Sequence, residues 1–350
     1  MYCWPGLRNS SARASFSFKI QTYMGQQSPN TRVKPAALMP GDTVGIVAPA
    51  SPIQRNLLDA GCLALFRMGY KPFFLDSIFE QDLYFAGSTQ RRARELEEMF
   101  RRPEVKAIIC ARGGYGCNYL LDELDLDVVR ENPKIFVGYS DATTLLTWFA
   151  DAAKLVTFHG PMITRDFDDA ADLLHVASWK SSLEGRSHWE IAAVPGSGIE
   201  PIVAGEAEGT LYGGCLSMLA ASVGTPYAIK TDETILFIED IGAKPFQVDR
   251  MLMQLKLAGK FSGVRGIIFG EMLNCVQQHD QGYKLQEVVK RIVGDLGVPV
   301  AYGLRSGHVS KQNVTLPIGV RAKLHVSDSV RLSILEAAAT AMTPQAAAKS

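Results

Sequence analysis

The stretch IFVGYSDATTLLTWF, Ile135 to Phe149, carries the reading on which the fold turns. Ile135 to Val137 is a short apolar strand and Gly138-Tyr139-Ser140-Asp141 a turn, after which Ala142, Leu145, Leu146 and Phe149 keep the i, i+3, i+4, i+7 spacing of one helix face. A strand-turn-helix with Ser140 at its apex is predicted. A serine there is lifted from the surface beside backbone N–H groups of partial positive charge, which favours attack on a carbonyl and oxyanion binding. It is equally the place where a serine caps a helix, here one beginning at Asp141. The segment by itself leaves both roles open.

Working outward toward the N-terminus, the same unit repeats. Thr43 to Pro49 (TVGIVAP) reads as a buried strand, with Leu58, Cys62, Leu65 and Phe66 at helical spacing behind it. Lys71 to Leu75 is a second strand, Ala93, Leu96 and Phe100 mark one face of a charged helix, and Val105 to Cys110 is a further apolar strand. Such alternation predicts a parallel sheet covered by helices. Toward the C-terminus, the polar run from Asp166 to Pro201, with Pro195-Gly196-Ser197-Gly198, reads as an inter-domain linker. Beyond it, strands are predicted at Ile235 to Ile238 and Gly266 to Phe269. Helices are marked by Val248, Met251, Leu252 and Leu255, and by Leu285, Val288, Val289 and Ile292. Ala301 to Leu335 reads as short antiparallel strands. The expected division is 1–35 a disordered or mis-started leader, 36–165 a nucleophile domain, 166–200 a linker, 201–336 a second domain and 337–350 a frayed tail. A start near Met24 explains the leader as well as a transit-like segment does.

Composition narrows the function. Lysine plus arginine and aspartate plus glutamate each number 36, so bulk charge gives no reason to expect a nucleic acid or an acidic membrane as partner. No apolar run approaches the roughly 18 residues of a membrane span. Six cysteines without a CxxC pair suggest a reducing compartment, and with widely separated histidines and no HExxH they leave no metal site to expect. No cofactor is expected either: in Ala111-Arg112-Gly113-Gly114-Tyr115-Gly116 the GGxG pattern is not a dinucleotide fingerprint.

That glycine loop follows a strand end, where its N–H groups can be aimed at a ligand; Gly114 with Asp141 makes the candidate oxyanion hole. A serine nucleophile needs a base, and among six histidines His308, in Ser306-Gly307-His308-Val309, is favoured over His159, which is assigned a structural or supporting role. Glu239, at the C-terminal end of an apolar strand, is the carboxylate chosen to orient the imidazole. Arg112 is the nearest cation in sequence for a substrate carboxylate, a surface ion pair being its plainer role.

GDTVGIVAPAS at Gly41 to Ser51, ARGGYG at Ala111 to Gly116, GYSDAT at Gly138 to Thr143, FHGP at Phe158 to Pro161, IEDIG at Ile238 to Gly242, VDRML at Val248 to Leu252 and GH with TLPIG between Gly307 and Gly319 together resemble the LD-carboxypeptidase family, which includes the microcin-C immunity peptidases. The resemblance runs in order from about Lys34 to about Leu335. It implies a Ser-Glu-His triad at Ser140, Glu239 and His308, and an N-terminal Rossmann-like or flavodoxin-like α/β domain joined to a smaller C-terminal α/β domain with a β-rich tail. It further implies domain closure over the site, a homodimer, and a cytoplasmic enzyme of cell-wall recycling that releases the terminal D-alanine of murein tetrapeptides. One departure stands out: where many relatives read GGNL, this chain has Gly213-Gly214-Cys215-Leu216, so a polar contact with substrate is lost or replaced there.

Three other readings are carried. A microcin-immunity-type hydrolase of aminoacyl-nucleotide amides needs an aromatic wall, for which Trp179 and Trp189 are the candidates. An α/β-hydrolase esterase shares the order Ser, acid, His, but Ala142 replaces the second glycine of GxSxG. A non-catalytic ligand-binding module would keep the fold without the chemistry.

Overall fold

Short β-branched runs that alternate with amphipathic stretches build two sheets in this chain. The structure, a computed structural model, describes residues 32–167, 172–192, 198–277 and 282–341. In chain order the first half holds β1 (Thr43–Val47), α1 (Arg55–Arg67), β2 (Lys71–Phe73), α2 (Thr89–Arg101), β3 (Val105–Cys110), α3 (Leu126–Glu131), β4 (Ile135–Gly138), α4 (Thr143–Trp148), β5 (Thr157–His159) and α5 (Ile163–Asp166). Next come α6 (Val176–Leu183), β6 (Trp189–Ala192), β7 (Glu200–Val203), β8 (Gly205–Cys215), α7 (Leu216–Ala221), β9 (Thr234–Glu239) and α8 (Pro245–Leu257). The chain closes with β10 (Gly266–Gly270), α9 (Leu285–Val293), β11 (Val300–Leu304), β12 (Leu316–Ile318), β13 (Arg321–Val326) and β14 (Val330–Ile334).

The first sheet has the order β12-β5-β4-β3-β1-β2, with β1 to β5 parallel. Its 2-1-3-4-5 core is the flavodoxin-like order, in which ligands sit beyond the carboxyl ends of the strands near the β1/β3 switch point. The edge strand β12 comes from the far end of the chain and pairs antiparallel with β5, Leu316 opposite His159. The second sheet is the wider, in the order β6-β14-β13-β8-β9-β10-β11-β7. Its centre, β8 to β11, is parallel, and the outer strands are antiparallel. β11 therefore departs from the antiparallel tail expected from Ala301 onward, while β12 to β14 agree with it.

The expected linker is corrected. Residues 172–192 contain α6 and β6, β6 is hydrogen-bonded to β14, and Trp179 of α6 is completely buried. Polar spacing on one face of a short helix hid a segment that is part of the core. A single cluster of buried side chains runs from Ile46 and Val137 of the first sheet through Trp179 to Leu211 and Phe237 of the second. The ends are corrected too: Val33 pairs with Leu155, and Thr340 exchanges backbone hydrogen bonds with Pro35 and Ala37, so 32–35 and 337–341 are packed. Residues 1–31 and 342–350 lie outside the described residues. Among the described residues no helix is long and apolar enough to cross a membrane.

Candidate active site

Ser140 sits where β4 hands over to α4, in a single 3-10 turn, Ser140–Ala142. Its backbone is left-handed, φ +61°, a conformation that costs a non-glycine residue about 1–2 kcal/mol and clusters at functional sites. Helix-capping residues take extended backbone and bond the helix N–H groups. Here the cap positions are Tyr139 and Ala142, neither with a side-chain capping bond, so the helix-cap reading of Ser140 does not hold. The turn is so tight that a Cβ on Gly138 would lie 2.8 Å from that of Ala142, which explains why one glycine of the pair suffices.

The glycine loop after β3 presses on this serine. A Cβ on Gly113 would stand 2.7 Å from Ser140 Cβ, 2.9 Å from its Oγ and 3.5 Å from the Asp141 nitrogen. Gly114, at φ +114°, leaves room for Ser51, which follows β1 and whose Oγ accepts from the Tyr115 N–H at 3.1 Å. Asp141 ties the loop to the elbow through its carboxylate, which accepts from the Cys117 N–H at 2.7 Å; burial pushes its carboxyl up from the usual range. The exposed Arg112 leans across the loop, donating to the Pro52 carbonyl at 3.2 Å.

From the second sheet, Glu239 ends β9 completely buried. Its Oε2 accepts from His308 twice, from Nδ1 at 2.8 Å and from the backbone N–H at 3.0 Å. Burial alone would raise this carboxyl, but the His308 and His159 imidazoles outweigh it and hold the group down at about 2. In His308 burial favours the neutral ring, and Glu239 more than cancels that, so its affinity for a proton is raised. The His308 ring packs edge-on to Tyr139, with centroids 5.0 Å apart, one residue before the serine. No Ser140–His308 hydrogen bond forms among the described residues, as is common before substrate closes the geometry. His159 is completely buried: its Nδ1 meets Ser306 Oγ at 2.9 Å, and its Nε2 stands 3.7 Å from Glu239 Oε1, too far for a hydrogen bond.

Glycines make room for the carboxylate. A Cβ on Gly270 would lie 2.5 Å from Glu239 Cβ, and one on Gly307, at φ +88°, 2.6 Å from its Cδ and 2.8 Å from His159 Cε1. Gly307→Ala should lower kcat on the order of 10²-fold through a displaced Glu239–His308 pair. Gly259→Ala is the control, because Gly259 is also left-handed, φ +72°, yet has nothing within 4 Å of its Cβ position. Steady-state kinetics of both variants check this; equal losses would mean that backbone strain, and not the collision with Glu239, is responsible.

Several residues went unread in the sequence. Arg165, on α5, donates to the Tyr139 hydroxyl at 2.9 Å and to the Val309 carbonyl at 2.9 Å, so it bridges the residue before Ser140 and the residue after His308. Asn313 holds Gly307 at both ends, accepting from its N–H at 2.9 Å and donating to its carbonyl at 3.1 Å, and it also reaches Asp166. Thr143, which opens α4, accepts from the Cys215 N–H at 3.1 Å. Arg92 is 1% exposed and donates to the carbonyls of Pro49 and Gly116, fixing both loop roots. Trp179 is completely buried, and Trp189, itself buried, lines a cavity with residues of β13 and β14 and not with Ser140, Glu239 or His308. The aromatic residues near the glycine loop are instead Tyr84, Phe85, Tyr115 and Tyr119, in mutual ring contact.

Comparison with known proteins identifies the family. Residues 44–160 match the family model described as the LD-carboxypeptidase N-terminal domain, and residues 208–324 match that of the LD-carboxypeptidase C-terminal domain. A Bacillus subtilis relative named "Probable murein peptide carboxypeptidase" is 39% identical over 87% of this chain and 94% of its own. Among solved structures, the muramoyltetrapeptide carboxypeptidase from Oxalobacter formigenes superposes with a TM-score of 0.75 at 30% identity, over 86% of this chain and all of that one. The microcin C7 self-immunity protein MccF, in its wild-type apo state, gives 0.82 at 26%, over 88% and 100%. With both family domains matched in order and the fold shared along nearly the whole described chain, this protein belongs to the LD-carboxypeptidase family.

Proposed function

We propose that the chain is a serine-type LD-carboxypeptidase that releases the terminal D-alanine of murein tetrapeptides through an acyl-enzyme, acting in the cytoplasm as a homodimer. The observation that carries this is the buried Glu239–His308 pair at 2.8 Å, set edge-on against the residue preceding a left-handed serine. Glu239 accepts a hydrogen bond from the Nδ1–H and so fixes the tautomer that leaves Nε2 free as a base. Ser140 Oγ attacks the amide carbonyl as Nε2 removes its proton, and the N–H groups of Gly114 and Asp141 receive the oxyanion. His308 then protonates the departing amine, and water repeats the sequence on the ester. Arg112 spends one N–H on Pro52 and has others for the carboxylate of the leaving D-alanine.

Mass spectrometry of a murein tetrapeptide incubated with the protein tests the reading: loss of one alanine is expected, and an unchanged tetrapeptide would end it. An aminoacyl-sulfamoyl nucleotide should be hydrolysed more slowly, since the two tryptophans suited to hold its base are buried.

The pH profile is a second check. His308 must be unprotonated to act, and Glu239 makes it hold its proton more tightly than usual. Activity should therefore rise with pH, and kcat/KM should reach half its plateau above about 6.5, the ordinary histidine value. A midpoint at or below that value counts against His308 as the base.

A further inference from the structure

Cys215 closes β8 with its side chain 3% exposed. Its Sγ, a carboxylate oxygen of Glu239 and a ring nitrogen of His308 all lie within 4.8 Å of one another. Thiolate, imidazole and carboxylate bound to zinc stand about 2.0–2.3 Å from the ion, hence roughly 3.5 Å from each other in a tetrahedron, so a separation at the 4.8 Å limit needs to close by about an ångström. A second observation points the same way. Glu239 Oε1 and His159 Nε2, 3.7 Å apart and completely buried, have no hydrogen-bond partner among the described residues. A buried anionic oxygen without a donor is left unsatisfied, and a cation is the ligand that satisfies it.

We propose that Cys215, Glu239 and His308 form a binding site for a thiophilic divalent cation, zinc above all, whose occupancy switches the triad off. Soft thiolate and borderline imidazole favour zinc or cadmium over magnesium or calcium. On binding, the Cys215 S–H bond breaks, a sulfur–metal bond forms and the proton leaves to solvent, with no change of oxidation state. The ion occupies a His308 nitrogen and shares the Glu239 charge, so Ser140 loses its base. The binding claim stands on geometry alone; the inhibition claim rests on His308 being the base of the proposed reaction.

The test uses the full chain carrying Cys62→Ser, which removes the half-exposed thiol of α1, and Cys3→Ser. Cadmium titration should produce an ultraviolet thiolate-to-metal band that saturates at one equivalent. Cys215→Ser should abolish the band, and Glu239→Gln should weaken cadmium binding at least tenfold. Zinc should stop turnover, with recovery on adding a chelator, and Cys215→Ser should need at least tenfold more zinc for half-inhibition relative to its own uninhibited rate. No band in the parent chain, or a band that neither substitution alters, overturns the site. A saturating band with unimpaired turnover overturns the inhibition claim. If the chain cleaves no tetrapeptide at all, the functional reading has failed and the cadmium titration still decides the site.

Discussion

Replacing Ser140 with alanine should lower kcat/KM toward a murein tetrapeptide on the order of 10⁴- to 10⁶-fold, the range seen when a triad nucleophile is removed and the rest of the site remains. The hydroxyl is the only atom lost, so the left-handed turn at φ +61°, the Gly113 contact and the Asp141–Cys117 tie all persist. Thermal unfolding of the variant should accordingly stay close to that of the parent. A fluorophosphonate should label the parent at Ser140 and leave the variant unlabelled. If Ser140→Ala retained activity within tenfold of the parent, the nucleophile would have to be sought elsewhere and the acyl-enzyme mechanism abandoned.

Glu239→Gln should be nearly as damaging, with a loss on the order of 10³- to 10⁴-fold. The amide keeps the shape between Gly270 and Gly307 and discards the charge that fixes the His308 tautomer and raises its proton affinity. The residual activity should titrate with a lower midpoint than the parent, because the carboxylate that stabilised the imidazolium is gone. That shift separates electrostatic support from packing: a role in packing alone would change the amount of activity and leave the midpoint where it was. Removing one partner of a buried charge pair also costs stability, about 3–5 kcal/mol when the other charge is stranded. Here His308 can discharge by losing its proton, so the melting temperature should fall less than such a figure suggests.

The elements that announced themselves in the sequence are those whose burial is periodic. β3 was legible from end to end because five of its six residues are buried, and α8 and α9 because their apolar positions keep helical spacing. β8 was not legible: GEAEGTLYGGC contains four glycines and has an exposed first half. Those glycines answer to neighbours and not to strand propensity; a Cβ on Gly213 would lie 2.0 Å from the Phe237 carbonyl oxygen. In α2, read only as a charged helix, Arg91, Arg92 and Glu95 are buried, Arg92 donating to backbone carbonyls and Arg91 pairing with Glu95. Ser140, Glu239 and His308 could be chosen because strand ends and small-residue neighbourhoods mark where α/β sites form. The bridge from Tyr139 through Arg165 to Val309, and from Asp166 to Asn313, joins residues as many as 147 positions apart, and no local pattern records such a pairing.

The placement of β12 bears on how the molecule is made. Residues 316–318 of 350 supply the outer strand of a sheet whose other five members are complete by residue 159. A nascent chain emerging N-terminus first must therefore carry β5 with an open flank while nearly half the polypeptide is still being translated. The imidazole at position 308 leaves the ribosome only shortly before that flank can be sealed. The imidazole and the strand that closes the first sheet thus arrive together, and a chain that stops short of residue 308 has neither.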